Sequence, residues 1–237
     1  MAYGTLYLFP VPLSGMEFGG VVPARNIELM SRVRYFVVEE LRTARRMLRA
    51  ADRSIDIDSL HFEILNEHTP AEAVPAMLEP LLRGEDVGIL SEAGCPAVAD
   101  PGSDLVAAAQ RRGIPVVPLV GPSSILMGLM GSGFNGQSFA FEGYLPMDKG
   151  QRAAKLREME RRIRRENQTQ IFIETPYRND RLVSDLAASL PGDLLLCVAL
   201  DITGPSQSIR TMPLSRWKTV QNPCGKTPAI FLLYHHG

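Results

Sequence analysis

The chain has 237 residues, of which 45% are hydrophobic and 22% are charged, and its formal net charge is −1. This length allows a large core in one or two domains, and the composition excludes a disordered chain. The near-zero net charge argues against a generally polyanion-binding surface, although a local basic patch remains compatible with it.

The beginning of the chain and its cysteines indicate the compartment. The first ten residues have no basic segment and no adequate apolar segment, so we predict no signal peptide. Cys95, Cys197 and Cys224 are odd in number and have no C-x-x-C spacing, which is typical of reduced thiols. We therefore expect a cytoplasmic protein. The uncharged stretch 113–141 contains too many prolines and glycines for a membrane span, and we predict that it is buried core.

The first half of the chain alternates short apolar runs with helical patterns, which indicates an α/β domain. Strands are predicted at 5–9, 35–38, 61–65, 87–91 and 116–120, and helices at 24–34, 41–51 and 105–112. Thr69 to Glu72 has the form of a capping box, and Pro75 and Pro80 predict a kink or break in the helix that follows. Ser103 is the predicted N-cap and Gly113 the predicted stop of the 105–112 helix, and Pro122 is the predicted first residue of the next helix.

The alternation of short apolar runs and helical patterns changes after Gly133. Strands are predicted at 138–144, 170–174, 194–200 and 229–234, and helices at 149–166 and 178–190. Leu156, Met159 and Ile163 form an amphipathic stripe on the first of these helices. The composition therefore predicts two α/β domains, 1–120 and 121–237.

Two loops rich in glycine and proline, at 91–102 and 119–124, follow predicted strands of the first domain. Loops at the same ends of parallel strands form the crevice where open α/β sheets bind ligands. Small residues let the backbone approach a ligand, and Ser123 and Ser124 add hydroxyl and N–H groups, which suits a polar, nucleoside-like ligand with a carboxylate. Tight helix–strand packing is the alternative explanation of the same residues. Cys95 is either a nucleophile or a small loop side chain, and no histidine lies near it in sequence.

Other motifs are incomplete. The segment 224–227 resembles the end of a phosphate-binding loop, but Val220 stands where that loop needs a glycine. The four histidines lack metal-ligand spacing, so we predict no metal site. Glu39 and Glu40 precede the 41–51 helix, where either the helix dipole or a catalytic role explains acidic residues.

These residues, taken together, resemble a known family. The segment S-E-A-G-C-P-A-V-A-D-P-G at 91–102 is similar to the S-D-A-G-T-P-x-x-x-D-P-G signature of the tetrapyrrole methylase superfamily, in the branch that methylates ribosomal RNA. The likeness extends along the chain to 39–43, 66–67, 117–124, 141–146 and 173–178. The segments 10–15 and 200–204 depart from the family pattern, which affects the predicted substrate more than the predicted cofactor.

The resemblance implies a two-domain fold with a mainly parallel N-terminal sheet and a smaller mixed C-terminal sheet. It implies a homodimeric methyltransferase that binds S-adenosylmethionine in the cleft between its domains. The implied cofactor-binding residues are Pro10, Glu92, Ala93, Gly94, Cys95, Val98, Ser123, Ser124, Phe141, Pro228 and Ala229. The implied reaction is methylation of a cytidine ribose 2′-hydroxyl in small-subunit ribosomal RNA. Glu67 and Glu40 are the candidates for the carboxylate that accepts the hydroxyl proton.

Two basic clusters bear on the substrate. Arg42, Arg45, Arg46 and Arg49 lie on one predicted helix, and eight lysines and arginines lie on the 149–166 helix. Each cluster either follows RNA phosphates or is a solvated helix face. Three hypotheses follow: a ribosomal RNA methyltransferase that binds RNA or the small ribosomal subunit, a methyltransferase of a tetrapyrrole-like or other small acceptor, and a nucleotide- or protein-binding module without catalysis.

Overall fold

The computed structural model describes residues 2–236. They form two compact units, one ending at Ser123 and the other beginning at Ser124. Each unit is built on its own five-stranded sheet. The first sheet is parallel and the second is mixed, which confirms the predicted fold class, although the two sheets have equal numbers of strands.

The first unit contains strands β1 (Leu6–Phe9), β2 (Tyr35–Val38), β3 (His61–Ile64), β4 (Val87–Leu90) and β5 (Val116–Pro118). They lie in the order β3-β2-β4-β1-β5, and every neighbouring pair is parallel. Neighbouring residues such as Phe36 and Val37 pack into different hydrophobic clusters, so the sheet is covered on both faces. This is why its strands are continuous apolar runs. Gly88 is required in β4, because a Cβ there would lie 2.8 Å from the rings of Phe9 and Phe36.

The helices of the first unit are α1 (Ala24–Met30), α2 (Leu41–Ala51), α3 (Glu79–Leu82) and α4 (Gly102–Arg111). The segment Ala71–Leu78 is a 3₁₀ helix that contains Pro75, and α3 begins directly after it, which confirms the predicted break. The predicted capping box is wrong, because the Thr69 hydroxyl accepts a hydrogen bond from the Asn66 N–H (3.0 Å) and Pro70 occupies the cap position.

Two predicted helix starts near the Gly/Pro loops are also wrong. Helix α4 begins at Gly102, and the carboxylate of Asp100, rather than Ser103, accepts the N–H of its first residue at 2.6 Å. Pro122 precedes the next helix, which begins at Ser124. The predicted stop at Gly113 is confirmed, since this residue follows α4 with a φ of +67°.

The second unit contains β6 (Phe139–Tyr144), β7 (Thr169–Ile173), β8 (Leu195–Leu200), β9 (Ser208–Pro213) and β10 (Ala229–Tyr234), in the order β6-β7-β10-β8-β9. Its helices are α5 (Ser124–Ser132), α6 (Lys149–Glu166), α7 (Asn179–Ser189) and α8 (Leu214–Trp217). Leu156, Met159 and Ile163 are buried, which confirms the amphipathic stripe of α6. The sequence analysis missed β9, an edge strand with few apolar residues.

The uncharged stretch 113–141 is divided among β5, α5 and the start of β6. Among residues 2–236, none of the helices is both long and apolar enough to cross a bilayer. Its prolines and glycines separate these elements. The prediction that the stretch is buried core is wrong for much of its length, because α5 buries only Gly128, Leu129 and Ser132, and Val120 and Met130 are 77% and 82% exposed.

Candidate functional site

The carboxyl ends of the five parallel strands of the first unit meet at one edge of the sheet. The loops after β1, β4 and β5 (10–15, 91–101 and 119–123) lie side by side there because these three strands are neighbours in the sheet. We call them the three-loop cluster. Open parallel sheets bind ligands at this edge, where connections leave neighbouring strands in opposite directions.

The first two loops of the cluster are joined through their backbones. The Val11 N–H donates to the Gly94 carbonyl at 2.9 Å, and the Gly94 N–H donates to the Val11 carbonyl at 3.2 Å. Gly94 has a φ of +72°, and a Cβ at this position would lie 3.0 Å from the side chain of Leu13. The bridge therefore depends on a residue that adopts a left-handed conformation without a side chain.

The third loop packs against the other two. A Cβ on Gly121 would lie 2.1 Å from the Cβ of Pro10, so the Gly121 backbone packs against the Pro10 ring more closely than any side chain at position 121 allows. The Cys95 thiol donates to the Pro122 carbonyl at 3.3 Å. Burial raises the pKa of this thiol, which keeps it protonated and argues against the nucleophile interpretation.

The 91–101 loop holds an unusual backbone. Ala97 and Ala99 have φ values of +64° and +59°, a region that non-glycine residues adopt at an energetic cost. One carboxylate oxygen of Asp100 accepts the N–H groups of Ala97 (3.0 Å) and Gly102 (2.6 Å). The other oxygen is buried and has no hydrogen-bond partner within the described residues. Val98, between the two strained alanines, remains 49% exposed.

Three carboxylates with raised pKa values lie at this edge. Glu39 follows β2, and its carboxylate accepts the Glu92 N–H at 3.3 Å. Burial, followed by the negative charge of Asp100, raises the pKa of Glu39. Burial also raises the pKa of Glu92 and of Asp100. This edge therefore disfavours additional negative charge and favours a cationic or proton-donating ligand. The sequence analysis left the role of Glu39 open between the helix dipole and catalysis and did not single out Asp100 as a site residue, because only their tertiary contacts distinguish them from other acidic residues.

The two candidate bases have different surroundings. The Glu40 carboxylate caps α2, accepting the N–H of Arg42 (2.8 Å) and the N–H and hydroxyl of Thr43 (2.6 and 2.7 Å). The Thr43 hydroxyl bond, followed by the backbone bonds, lowers the pKa of Glu40. Glu67 lies in an exposed turn after β3, with its carboxylate 3.6 Å from Nε2 of His68. Both residues are exposed, but the Glu40 oxygens are engaged in capping α2, so Glu67 is the better candidate to accept a proton from a bound hydroxyl.

The cofactor-binding residues predicted from the resemblance are divided between the units. Pro10, Glu92, Ala93, Gly94, Cys95, Val98 and Ser123 belong to the three-loop cluster. Ser124 begins α5 in the second unit. Phe141 on β6 and Ala229 on β10 lie on strands separated by β7, and the Pro228 carbonyl accepts the Asp201 N–H at 3.0 Å. In the described part of the chain, no group of three His, Cys, Asp or Glu side chains is arranged to hold a metal ion.

The chain is similar to known proteins along most of its length. A family model described as Tetrapyrrole (Corrin/Porphyrin) Methylases matches residues 22–217. Ribosomal RNA small subunit methyltransferase I of Vibrio cholerae is 30% identical over 232 residues, which are 97% of this chain and 76% of that protein. The protein of the same name from Micromonospora olivasterospora is 34% identical over 200 residues, 84% of this chain and 60% of that protein. The chain thus spans between about three fifths and three quarters of these relatives.

Solved structures share the fold at lower identity. The crystal structure of the methyltransferase CobJ superposes with a TM-score of 0.64 at 16% identity, covering 99% of this chain and 95% of that chain. Uroporphyrin-III C-methyl transferase from Thermus thermophilus, complexed with S-adenyl homocysteine, gives a TM-score of 0.56 at 17% identity, covering 98% and 97%. At these identities the likeness concerns the fold alone.

Proposed function

The chain belongs to the tetrapyrrole (corrin/porphyrin) methylase family and is an S-adenosylmethionine-dependent methyltransferase, and from this premise we propose that it methylates a cytidine 2′-hydroxyl of small-subunit ribosomal RNA. The observation that carries the proposal is the similarity, over 97% of this chain, to a relative named as a ribosomal RNA small subunit methyltransferase. The segments 39–43 and 66–67, which resemble the RNA-methylating branch, follow β2 and β3 at the edge that also holds the three-loop cluster.

The residues at this edge fit the cofactor. S-adenosylmethionine carries a positive sulfonium and a positive ammonium group, and Glu39, Glu92 and Asp100 are carboxylates whose negative charge is poorly compensated. The buried Asp100 oxygen without a partner is an acceptor that a ligand N–H or O–H group can satisfy.

We assign the cofactor contacts as follows. The residues that the family resemblance implies for S-adenosylmethionine are Pro10, Glu92, Ala93, Gly94, Cys95, Val98, Ser123, Ser124, Phe141, Pro228 and Ala229. When bound, the cofactor would supply an electrophilic methyl group, whose bond to sulfur breaks as its bond to the acceptor oxygen forms, with S-adenosylhomocysteine as the leaving group. The chain's own contribution is to hold donor and acceptor in line, a positioning effect that supplies much of the rate of such transfers. Glu67 accepts the proton of the attacking hydroxyl.

The test is transfer of labelled methyl from S-adenosylmethionine into three acceptors: small ribosomal subunits, deproteinised small-subunit RNA, and a tetrapyrrole precursor. Nuclease digestion to nucleosides then identifies the methylated position. Label in 2′-O-methylcytidine supports the proposal. Label only in the tetrapyrrole or another small molecule overturns the RNA substrate, and the absence of cofactor binding by calorimetry overturns both enzymatic assignments.

We also propose that the protein is a cytoplasmic homodimer, which is the assembly that the family resemblance implies. Light scattering coupled to size-exclusion chromatography tests the assembly, because a monomer of 26.1 kDa and a dimer are readily distinguished. Cell fractionation tests the compartment.

A further inference from the structure

The two basic clusters differ in how many of their cations are already paired. On α6, most of the basic side chains form ion pairs. The pairs join Arg152 to Asp185 (3.0 Å), Lys155 to Glu142 (2.6 Å), Arg162 to Glu142 (3.3 Å), Arg164 to Asp193 (3.1 Å) and Arg161 to Glu166 (3.9 Å). A phosphate must compete with these carboxylates, so the positive charge counted along this helix is largely compensated within the second unit.

The arginines of helix α2, in contrast, form no ion pairs within the described residues. Arg42, Arg45, Arg46 and Arg49 follow the spacing i, i+3, i+4, i+7, which places them on one face of the helix. Ala44, Met47 and Leu48 are buried on the other face. Among the described residues, none of the four arginines forms an ion pair. We call these four residues the α2 arginine face.

The α2 arginine face borders a groove. Arg45, Arg46 and Arg49 line a surface cavity of about 530 Å³ together with Met16, Ile57 and Asp58. Three arginines thus face a single aspartate. The guanidinium of Arg45 lies 5.6 Å from the ring centroid of Phe62, a cation–π contact that holds one of the charges in place.

The groove lies next to elements that connect it to the three-loop cluster. Helix α2 begins at Leu41, directly after the carboxyl end of β2, so its first turn belongs to the edge that carries the three-loop cluster. Met16, which lines the groove, directly follows the 10–15 loop of that cluster. A strand bound along α2 is therefore led toward the loops that we assign to the cofactor. Four arginines over two helical turns span roughly 10 Å, enough for several successive phosphates of one strand.

We propose that the α2 arginine face, rather than α6, binds the phosphodiester backbone of the acceptor RNA. This inference rests on the proposed RNA methyltransferase activity. Unpaired guanidinium groups bind phosphate without first losing a carboxylate partner, and each phosphate they neutralise releases counterions from the RNA. The affinity of RNA binding through this face is therefore expected to fall steeply as the salt concentration rises.

The experiment compares matched triple variants of the full chain. Arg45→Gln/Arg46→Gln/Arg49→Gln removes three unpaired charges from α2, and Arg152→Gln/Arg161→Gln/Arg164→Gln removes three paired charges from α6. Arg45→Lys/Arg46→Lys/Arg49→Lys keeps the α2 charge. Each variant is titrated with deproteinised small-subunit RNA at several salt concentrations, and S-adenosylmethionine binding is measured by calorimetry as a control of folding.

We expect the α2 glutamine variant to bind RNA at least about tenfold more weakly and to reduce the slope of log K against log salt by about 2, since each lost phosphate contact on a single strand contributes about 0.7. We expect the α6 variant and the α2 lysine variant to keep most of the wild-type salt slope. All three variants are expected to bind the cofactor with the wild-type affinity. An unchanged slope in the α2 glutamine variant, or equal losses in the α2 and α6 variants, overturns the inference while the RNA methyltransferase assignment stands.

Two further measurements distinguish a failure of the proposed function from a general affinity of this face for acidic polymers. Wild-type protein that binds S-adenosylmethionine but methylates no RNA overturns the proposed function, and the inference with it. Polyglutamate is added as a competitor of equal charge concentration. If it displaces RNA as well as free RNA does, the face recognises acidic polymers in general and the RNA assignment of this surface is wrong.

Discussion

Val11 and Gly94, which follow neighbouring parallel strands, exchange two backbone hydrogen bonds of 2.9 and 3.2 Å. This short antiparallel bridge fixes the loop after β1 against the loop after β4, at the edge where we place the cofactor. Each loop thereby satisfies polar backbone groups of the other, and neither is free to move independently.

Gly94→Ala is expected to weaken this bridge. Its φ of +72° costs a non-glycine residue roughly 1–2 kcal/mol, and the added methyl group would lie 3.0 Å from Leu13. We expect a lower free energy of unfolding in denaturant and weaker S-adenosylmethionine binding by calorimetry. Gly19→Ala is the control, because nothing lies within 4 Å of a Cβ there. Equal affinities in the two variants would show that the bridge does not shape the cofactor site.

Gly121→Ala addresses the contact of the third loop. The new Cβ would lie 2.1 Å from the Cβ of Pro10, and such overpacking typically costs about 1–3 kcal/mol. We expect a clear drop in the urea midpoint. Combining it with Pro10→Gly removes the clashing atom, so the two effects are expected to be less than additive in a double-mutant cycle. Strict additivity would contradict the close approach of these two residues.

Cys95 is expected to be dispensable as a nucleophile. Its thiol is protonated and donates to Pro122, a bond that a serine hydroxyl also makes. Cys95→Ser therefore keeps methyl transfer within about twofold of wild type, whereas loss of an essential nucleophile removes several orders of magnitude. Iodoacetamide at pH 7 is expected to alkylate native Cys95 slowly, since the pKa of all three thiols is raised and that of Cys224 reaches about 12. Rapid labelling of native Cys95, read by mass spectrometry, would refute this.

Glu39→Gln is expected to change the pH dependence of stability. The raised pKa of Glu39 means that the folded state binds its proton more tightly than the unfolded state, so this residue reduces stability as pH rises above the ordinary glutamate pKa of about 4. The glutamine still accepts the Glu92 N–H. We expect the variant to be more stable than wild type at pH 7 and equal to it near pH 4, in denaturant titrations. Glu17→Gln, an exposed loop residue, serves as control.

Glu67→Gln and Glu40→Gln are expected to separate catalysis from capping. Loss of a general base lowers kcat by about 10²-fold or more, and we expect this of Glu67→Gln with little change in melting temperature. Glu40→Gln is expected to keep methyl transfer and lower the melting temperature, because the charged cap favours the start of α2. The pKa of Glu40 is lowered in the folded state. The difference in melting temperature between Glu40→Gln and wild type therefore shrinks as the pH falls below the ordinary glutamate pKa, and it disappears below the lowered pKa of Glu40. The reverse pattern would assign the proton acceptor to Glu40.

Local sequence patterns were sufficient for most of the elements and for the family. The bounds of α2, α6 and β10 follow from apolar periodicity and flanking residues, and the stop at Gly113 follows from the φ that glycine allows. The segment 91–102 is continuous in sequence, so its resemblance to the family signature needed no tertiary information. Such features depend on residues a few positions apart.

Features that depend on distant residues were decided only by the tertiary structure. It placed the Glu39 carboxylate against the Glu92 N–H, 53 positions away in sequence, and near the charge of Asp100. It also paired most of the charge on α6 while leaving the α2 arginine face without ion pairs. A sequence gives the number of charges on each helix, but their electrostatic effect depends on which carboxylates the fold brings within a few ångströms, because that distance sets the Coulomb energy.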